Sequence, residues 1–227
     1  MKALILCAGL GERMRPLTWV EPKPLLKVSG QSLVVAHLER LAAAGVAHVI
    51  INTAWLAHRF PESLGAEAFG MRITYSFEGA WPLETGGGIR AALPLLGDQP
   101  FLCINGDIWS DFDPAALLRD DLPDAHLLLR PMPGFRKAGV FESLASPLLG
   151  PDAALHTFAG YARYRPEALT GLPHRGSILP WWLDRLHAGR VAASSWIGEW
   201  EDIGTVERLQ SRNGIAADVP GITRPGD

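Results

Sequence analysis

The apolar run Ala3–Cys7 gives way at once to Ala8-Gly9-Leu10-Gly11, followed by Arg13 and Arg15 and then by Pro22-Lys23-Pro24. Such a run suits a buried strand. Small residues at its carboxyl end let backbone N–H groups approach an anionic ligand closely, and arginines just beyond can hold terminal phosphates. The segment therefore reads as a nucleotide site. A lone Gly-x-Gly would be a solvated surface turn; the length of this composite favours a ligand.

What is missing narrows the kind of site. A dinucleotide fingerprint needs a third glycine where Met14 stands, and a P-loop needs Gly-Lys-Ser/Thr, a tripeptide found nowhere in the chain. Instead the loop continues through prolines. Pro22 and Pro24 restrict the backbone on both sides of Lys23, which predicts a stiff extended segment presenting the ammonium beside a phosphate cradle.

Residues 9–24 resemble the signature of the sugar-1-phosphate nucleotidylyltransferases, G-x-G-x-R-x-x-P-L-T-x-x-x-P-K-P. Later segments resemble the same family in the same order: Glu84-Thr85-Gly86-Gly87-Gly88 its nucleoside-binding turn and Asn105-Gly106-Asp107 its first metal motif. Phe158-Ala159-Gly160 resembles its sugar-binding strand and Trp200 to Thr205 the turn with its second metal aspartate. Gly11-Glu12-Arg13-Met14-Arg15, Ile51 to Leu56 and Pro82 to Ile89 are most similar to the branch that acts on N-acetylmuramate α-1-phosphate with UTP.

The resemblance implies in-line transfer. A sugar-1-phosphate oxygen attacks the α-phosphorus of an NTP, and pyrophosphate leaves. That oxygen is already ionised at neutral pH, so positioning and charge neutralisation can suffice without a general base. By resemblance Arg13 holds the β- and γ-phosphates and Lys23 touches the α-phosphate. Ala8, Gly9, Gly11, Glu12, Gly86 and Asn105 line the nucleotide, Asn52, Glu142 and Gly160 meet the sugar, and Asp107 with Asp202 holds Mg²⁺. Two hard carboxylates suit Mg²⁺, which takes few protein ligands and several phosphate or water oxygens. Read singly, Asn105-Gly106-Asp107 is an ordinary turn after a strand, and Asp202 could cap a helix.

Some positions depart from the family pattern. The Glu-Lys-Pro lysine that grips the sugar phosphate in many members has no counterpart, leaving Arg136, Lys137, Arg163 and Arg165 as stand-ins. Where the muramate branch has Gly-Asp-Phe, Gly139-Val140-Phe141 stands, and valine cannot accept a hydroxyl's hydrogen bond. Glu142 could compensate. Two other readings therefore stay open: a transferase for another hexose- or heptose-1-phosphate, and a catalytically silent sugar-nucleotide sensor.

Alternating patterns predict an α/β fold with a doubly wound, mostly parallel sheet and helices on both faces, in one domain over 1–227 with a loose tail from about 216. Strands are expected at 3–7, 46–52, 71–77, 101–104, 125–129, 155–164 and 191–197, and helices at 32–44, 58–64, 88–96 and 178–187. Residues 131–154 should form a loop with a short hairpin over the sugar side. A net charge of −3 gives no electrostatic case for nucleic acid or membrane partners. No long apolar run or leader-like segment is evident, so a cytoplasmic location is expected. Cys7 and Cys103 fall in apolar runs and imply no disulfide, Trp55 and Trp81 could stack on a sugar or base although core packing is the commoner role of an indole, and His37 reads as a core residue. Oligomeric state is not legible.

Overall fold

The computed structural model describes residues 1–118, 123–131, 148 and 156–214. An eight-stranded sheet has the order β11-β9-β10-β7-β1-β4-β6-β5. These strands are β1 Lys2–Leu6, β4 His48–Thr53, β5 Glu67–Ala68, β6 Met71–Phe77, β7 Phe101–Asn105, β9 Ala125–Pro131, β10 His156–Tyr164 and β11 Val191–Ser195. β1 pairs in parallel with β4 and β7, β4 with β6, and β9 with β11. β10 runs antiparallel between β7 and β9, and β5 is antiparallel to β6 at the far edge.

Period-2 alternation sorts the core into two layers. Ala3 and Ile5 pack on the face covered by α1 (Leu33–Ala43) and α2 (Arg59–Leu64), with Val34, Leu38, Leu41 and Phe60. Leu4 and Ile50 face the other way, against α3 (Glu84–Leu96) and α4 (Leu179–His187) through Ile89, Ala92, Trp181 and Trp182. Both faces of the sheet are covered, as a mostly parallel sheet requires. α1 stops where Gly45 takes a left-handed φ of 80°. Among the described residues no helix is long and apolar enough to cross a membrane.

Two local expectations need correction. α3 begins at Glu84 rather than Gly88, winding the glycine triplet into its first turns. Glycine lowers helix propensity, but here it permits close packing: a Cβ on Gly87 would stand 2.6 Å from the His174 carbonyl oxygen. Lys23 is not extended either. Lys23–Leu25 forms a 3₁₀ turn closed by Leu26 N–H to the Lys23 carbonyl at 3.1 Å, because Pro24 needs no N–H partner at a helical start. The remaining elements are short: the hairpin of β2 (Lys27–Val28) and β3 (Gln31–Ser32), the antiparallel pair of β8 (Ile108–Ser110) and β12 (Trp200–Asp202), and α5 (Val206–Arg212). The expected hairpin within 131–154 and the loose tail lie outside the described residues, apart from Pro131 and residue 148.

Candidate active site

Register places the site. Leu6 pairs with Asn52 of β4 and with Asn105 of β7, so the loop leaving β1 emerges between two asparagines at the carboxyl edge, where open α/β sheets bind ligands. An open cleft of about 230 Å³ lies there. It brings together Ala8, Gly9, Gly11, Lys23, Asn52, Asn105 and Asp107, and Glu78, Pro82, Glu84 and Thr85 complete its lining.

The loop's glycines differ in what they do. Gly11 takes φ 65° and its carbonyl accepts from the Thr18 hydroxyl at 2.8 Å; a Cβ there would stand 2.8 Å from Thr18 Cγ2. Gly9 has nothing within 4 Å of such a Cβ, so its surface is open. Trp55 braces the loop by donating its indole N–H to the Thr18 carbonyl at 2.7 Å, whereas Trp81 is exposed. Glu12 is exposed and pairs with Arg15 at 3.5 Å.

Asn52 is buried and already engaged on both sides. Its Oδ1 accepts from Cys7 N–H at 2.6 Å and its Nδ2 donates to Glu78 Oε1 at 2.6 Å. Glu78 Oε2 accepts from Leu83 N–H at 2.6 Å. Burial raises the Glu78 carboxyl above its ordinary value, against the pull of these two donors. The bridge ties the ends of β1, β4 and β6 to the start of α3. Gly86 N–H and Gly87 N–H both donate to the Gly176 carbonyl, at 2.8 and 3.2 Å, so the amino end of α3 is closed by the protein itself.

Asp107 and Asp202 are drawn together by strand pairing. Asp202 is opposite Ile108, and Ile203 N–H donates to the Asp107 carbonyl at 3.1 Å. Asp202 lies in β12 and caps nothing; the cap of α5 is Thr205, whose hydroxyl accepts from Arg208 N–H at 3.4 Å. Lys23 Nζ stands 2.5 Å from Asp107 Oδ2. Asp202 Oδ1 is buried without a hydrogen-bond partner, and its Oδ2 is 3.6 Å from Arg208. A Cβ on Gly204 would meet Arg13 Nη2 at 3.0 Å and Asp202 Oδ1 at 3.1 Å, so Arg13 and Asp202 converge on one glycine. Arg13 is exposed and has no ion pair among the described residues. Among those residues no three His, Cys, Asp or Glu side chains cluster to hold a metal ion. A buried, unpartnered carboxylate oxygen on Asp202, whose strand is paired next to Asp107, nevertheless fits Mg²⁺, whose remaining ligands are water or phosphate oxygens.

Gly160 sits at the bulge of β10 with φ 88°, and a Cβ there would be 2.6 Å from Ile108 Cγ1. Two stand-ins for the sugar-phosphate lysine are misplaced. Arg163 pairs with Leu102 near the start of β7, and Arg165 N–H bonds the Asp124 carbonyl just before β9, because antiparallel β10 carries its end to the opposite edge of the sheet. Arg136, Lys137, Val140 and Glu142 lie outside the described residues. Sequence reasoning passed over Glu78, which lines the cleft, and Arg130. Arg130 follows the apolar run Leu127–Leu129 at the carboxyl end of a strand parallel to β7, a placement like that which singled out Asp107.

The nucleotidyl transferase family model matches residues 2–127. The chain is 43% identical over 228 residues, covering 95% of it and 98% of the relative, to the N-acetylmuramate alpha-1-phosphate uridylyltransferase of Neisseria meningitidis. The Caulobacter vibrioides protein of the same name is 36% identical across 89% of this chain and 91% of its own length. The mannose-1-phosphate guanylyltransferase of Mycobacterium tuberculosis is 40% identical over 51% of this chain and 32% of its own. In fold, a Bacillus anthracis protein assigned as a glucose-1-phosphate thymidylyltransferase superposes with a TM-score of 0.79 at 21% identity, covering 98% of both chains.

Proposed function

The chain belongs to the nucleotidyl transferase family and is a sugar-1-phosphate nucleotidylyltransferase, and on that basis we propose that it joins UTP and N-acetylmuramate α-1-phosphate with Mg²⁺, releasing pyrophosphate. The observation that carries the choice of sugar and base is likeness along nearly the whole chain to uridylyltransferases of that substrate. The site geometry supports the chemistry. UTP enters the cleft at the carboxyl edge, with its phosphates over the open surface of Gly9 and its terminal phosphates against the exposed Arg13. Lys23 is aimed by its turn and by Asp107 at the point where charge develops on the α-phosphoryl group.

The acceptor phosphate supplies its own ionised oxygen, so the protein's task is alignment. Asp107 and Asp202 would hold Mg²⁺, which when bound neutralises phosphate charge as a Lewis acid. Their backbones are fixed to one another through β8 and β12, so the carboxylates need little reorganisation. The hydrogen bonds of Asn52 to Cys7 and to Glu78 hold the ends of β1, β4 and β6 at the spacing set by their parallel pairing.

Pyrophosphate release across a matrix of NTPs and sugar-1-phosphates tests the reading. UTP with N-acetylmuramate α-1-phosphate should give the highest kcat/KM. A hexose- or heptose-1-phosphate used much better would discard the muramate assignment.

A further inference from the structure

We propose that Arg130 grips the phosphate of the incoming sugar-1-phosphate, making it the acceptor-side counterpart of Arg13. This rests on the reading of the acceptor as a sugar-1-phosphate. Arg130 occupies the carboxyl end of β9, and its guanidinium carbon lies 4.8 Å from the centre of the Trp200 ring. Strand alternation puts Trp200 and Asp202 on the same face of β12, roughly 7 Å apart along the strand. The guanidinium is thereby held against the residue two positions before the second carboxylate of the site.

Its surroundings lack what a half-buried cation needs. Its hydrogen bond is a long one, 3.5 Å from Nη1 to the Trp200 carbonyl, and Nε is buried without a partner. No carboxylate pairs with it among the described residues, and burial pulls its pKa below the ordinary arginine value. Other arginines around the sheet have carboxylate partners: Arg59 with Glu21, Arg190 with Asp124, Arg212 with Glu199. An uncompensated guanidinium costs stability unless an anion arrives, and its planar fork matches phosphate geometry. Stacking on Trp200 fixes that plane. Trp200 is itself fixed, its indole N–H donating at 2.8 Å to the carbonyl of Ala159, next to the Gly160 bulge.

Steady-state kinetics of Arg130→Met and Arg130→Lys decide the matter. Methionine keeps an apolar stem against Trp200 and removes the charge. The expected result is a KM for the sugar-1-phosphate raised roughly 10- to 100-fold, a KM for UTP within about twofold, and partial recovery in Arg130→Lys. An unchanged acceptor KM would overturn the assignment, as would equal rises in both KM values alongside a lowered melting temperature that lysine fails to restore. If the wild-type enzyme turns over a different sugar-1-phosphate, the same split is measured on that acceptor, and the muramate reading fails without Arg130. A wild-type enzyme that releases pyrophosphate with no sugar-1-phosphate removes the foundation of both.

Discussion

On the β1 side of the site, functional groups come from loops that follow neighbouring parallel strands; on the β9–β12 side, they are delivered by an antiparallel strand, a bulge and a three-residue ribbon. Leu6 opposes both Asn52 and Asn105, so three strand ends converge through regular pairing alone. Across the cleft, Asp202 reaches Asp107 only because β12 pairs with β8, and Gly160 reaches Ile108 only because β10 bulges between Phe158 and Ala162. The family model covers residues 2–127, which is the β1 side and little more. A parallel-strand edge is a general device for holding phosphates, whereas the β9–β12 side, which the proposed reading gives to the acceptor, is assembled by contacts distant in sequence.

The carboxylates are where the two sides meet, and removing them should have the largest effect. Asp107→Ala and Asp202→Ala should each lower kcat by about 10²–10³-fold or more while leaving the melting temperature nearly unchanged. Losses of similar size, measured as pyrophosphate release with Mg²⁺, would mean that both sides contribute equally to one centre. Near-normal turnover in Asp202→Ala alone would break the comparison and confine catalysis to the β1 side.

Lys23→Ala comes next. Its ammonium belongs wholly to the β1 side, so kcat should fall by about 10²-fold with a smaller rise in KM for UTP and none for the sugar-1-phosphate. A change in KM alone would make Lys23 a plain binding residue.

The same division decided what could be read from sequence. β1, α1 and β6 were legible because their apolar residues repeat with the period of the element, and the signature loop because its glycines, arginines and prolines are contiguous. The start of α3 was not, since Gly86-Gly87-Gly88 reads as a turn until one sees that Gly176 and Glu78 leave no room for a Cβ. Nor did spacing reveal that Lys23 opens a 3₁₀ turn, or that Arg163 and Arg165 sit at the wrong edge, because that depends on the direction of β10. Asp202 was found by its motif, but the pairing that brings it to Asp107 spans more than ninety residues.

Overpacking that glycine contact should have a smaller effect, confined to the nucleotide side. A Cβ on Gly88 would stand 2.5 Å from Glu78 Oε1 and 2.7 Å from Asn52 Nδ2, splitting the bridge that sets the cleft wall. Gly88→Ala should therefore cost about 1–3 kcal/mol in urea unfolding and raise KM for UTP more than KM for the sugar-1-phosphate. Equal changes in both would show that the two sides are less separable than their construction suggests.

The smallest expected effect comes from the residue that joins them. His37 belongs to α1, yet its ring meets Tyr161 of β10 edge-on at 5.9 Å, and the Tyr161 hydroxyl bonds the Ser110 hydroxyl of β8 at 2.8 Å. Burial, with a smaller push from Arg40, lowers the imidazole to about 4, although the backbone at Ile108 and Asn105 and the charge of Asp107 favour the protonated form. The folded value lies below the unfolded one, so the unfolded chain takes up the proton first as pH falls. The stability His37 provides is thus full above about pH 6.5 and is lost progressively toward pH 4. Between pH 7 and 5.5 the loss should be about 1 kcal/mol, and His37→Gln, which does not titrate, should flatten the pH dependence by that amount. Urea midpoints at the two pH values measure it. If the variant keeps the full slope, the acid sensitivity lies elsewhere, and the contact between α1 and β10 is ordinary packing instead of a protonation-sensitive joint between the nucleotide and acceptor sides.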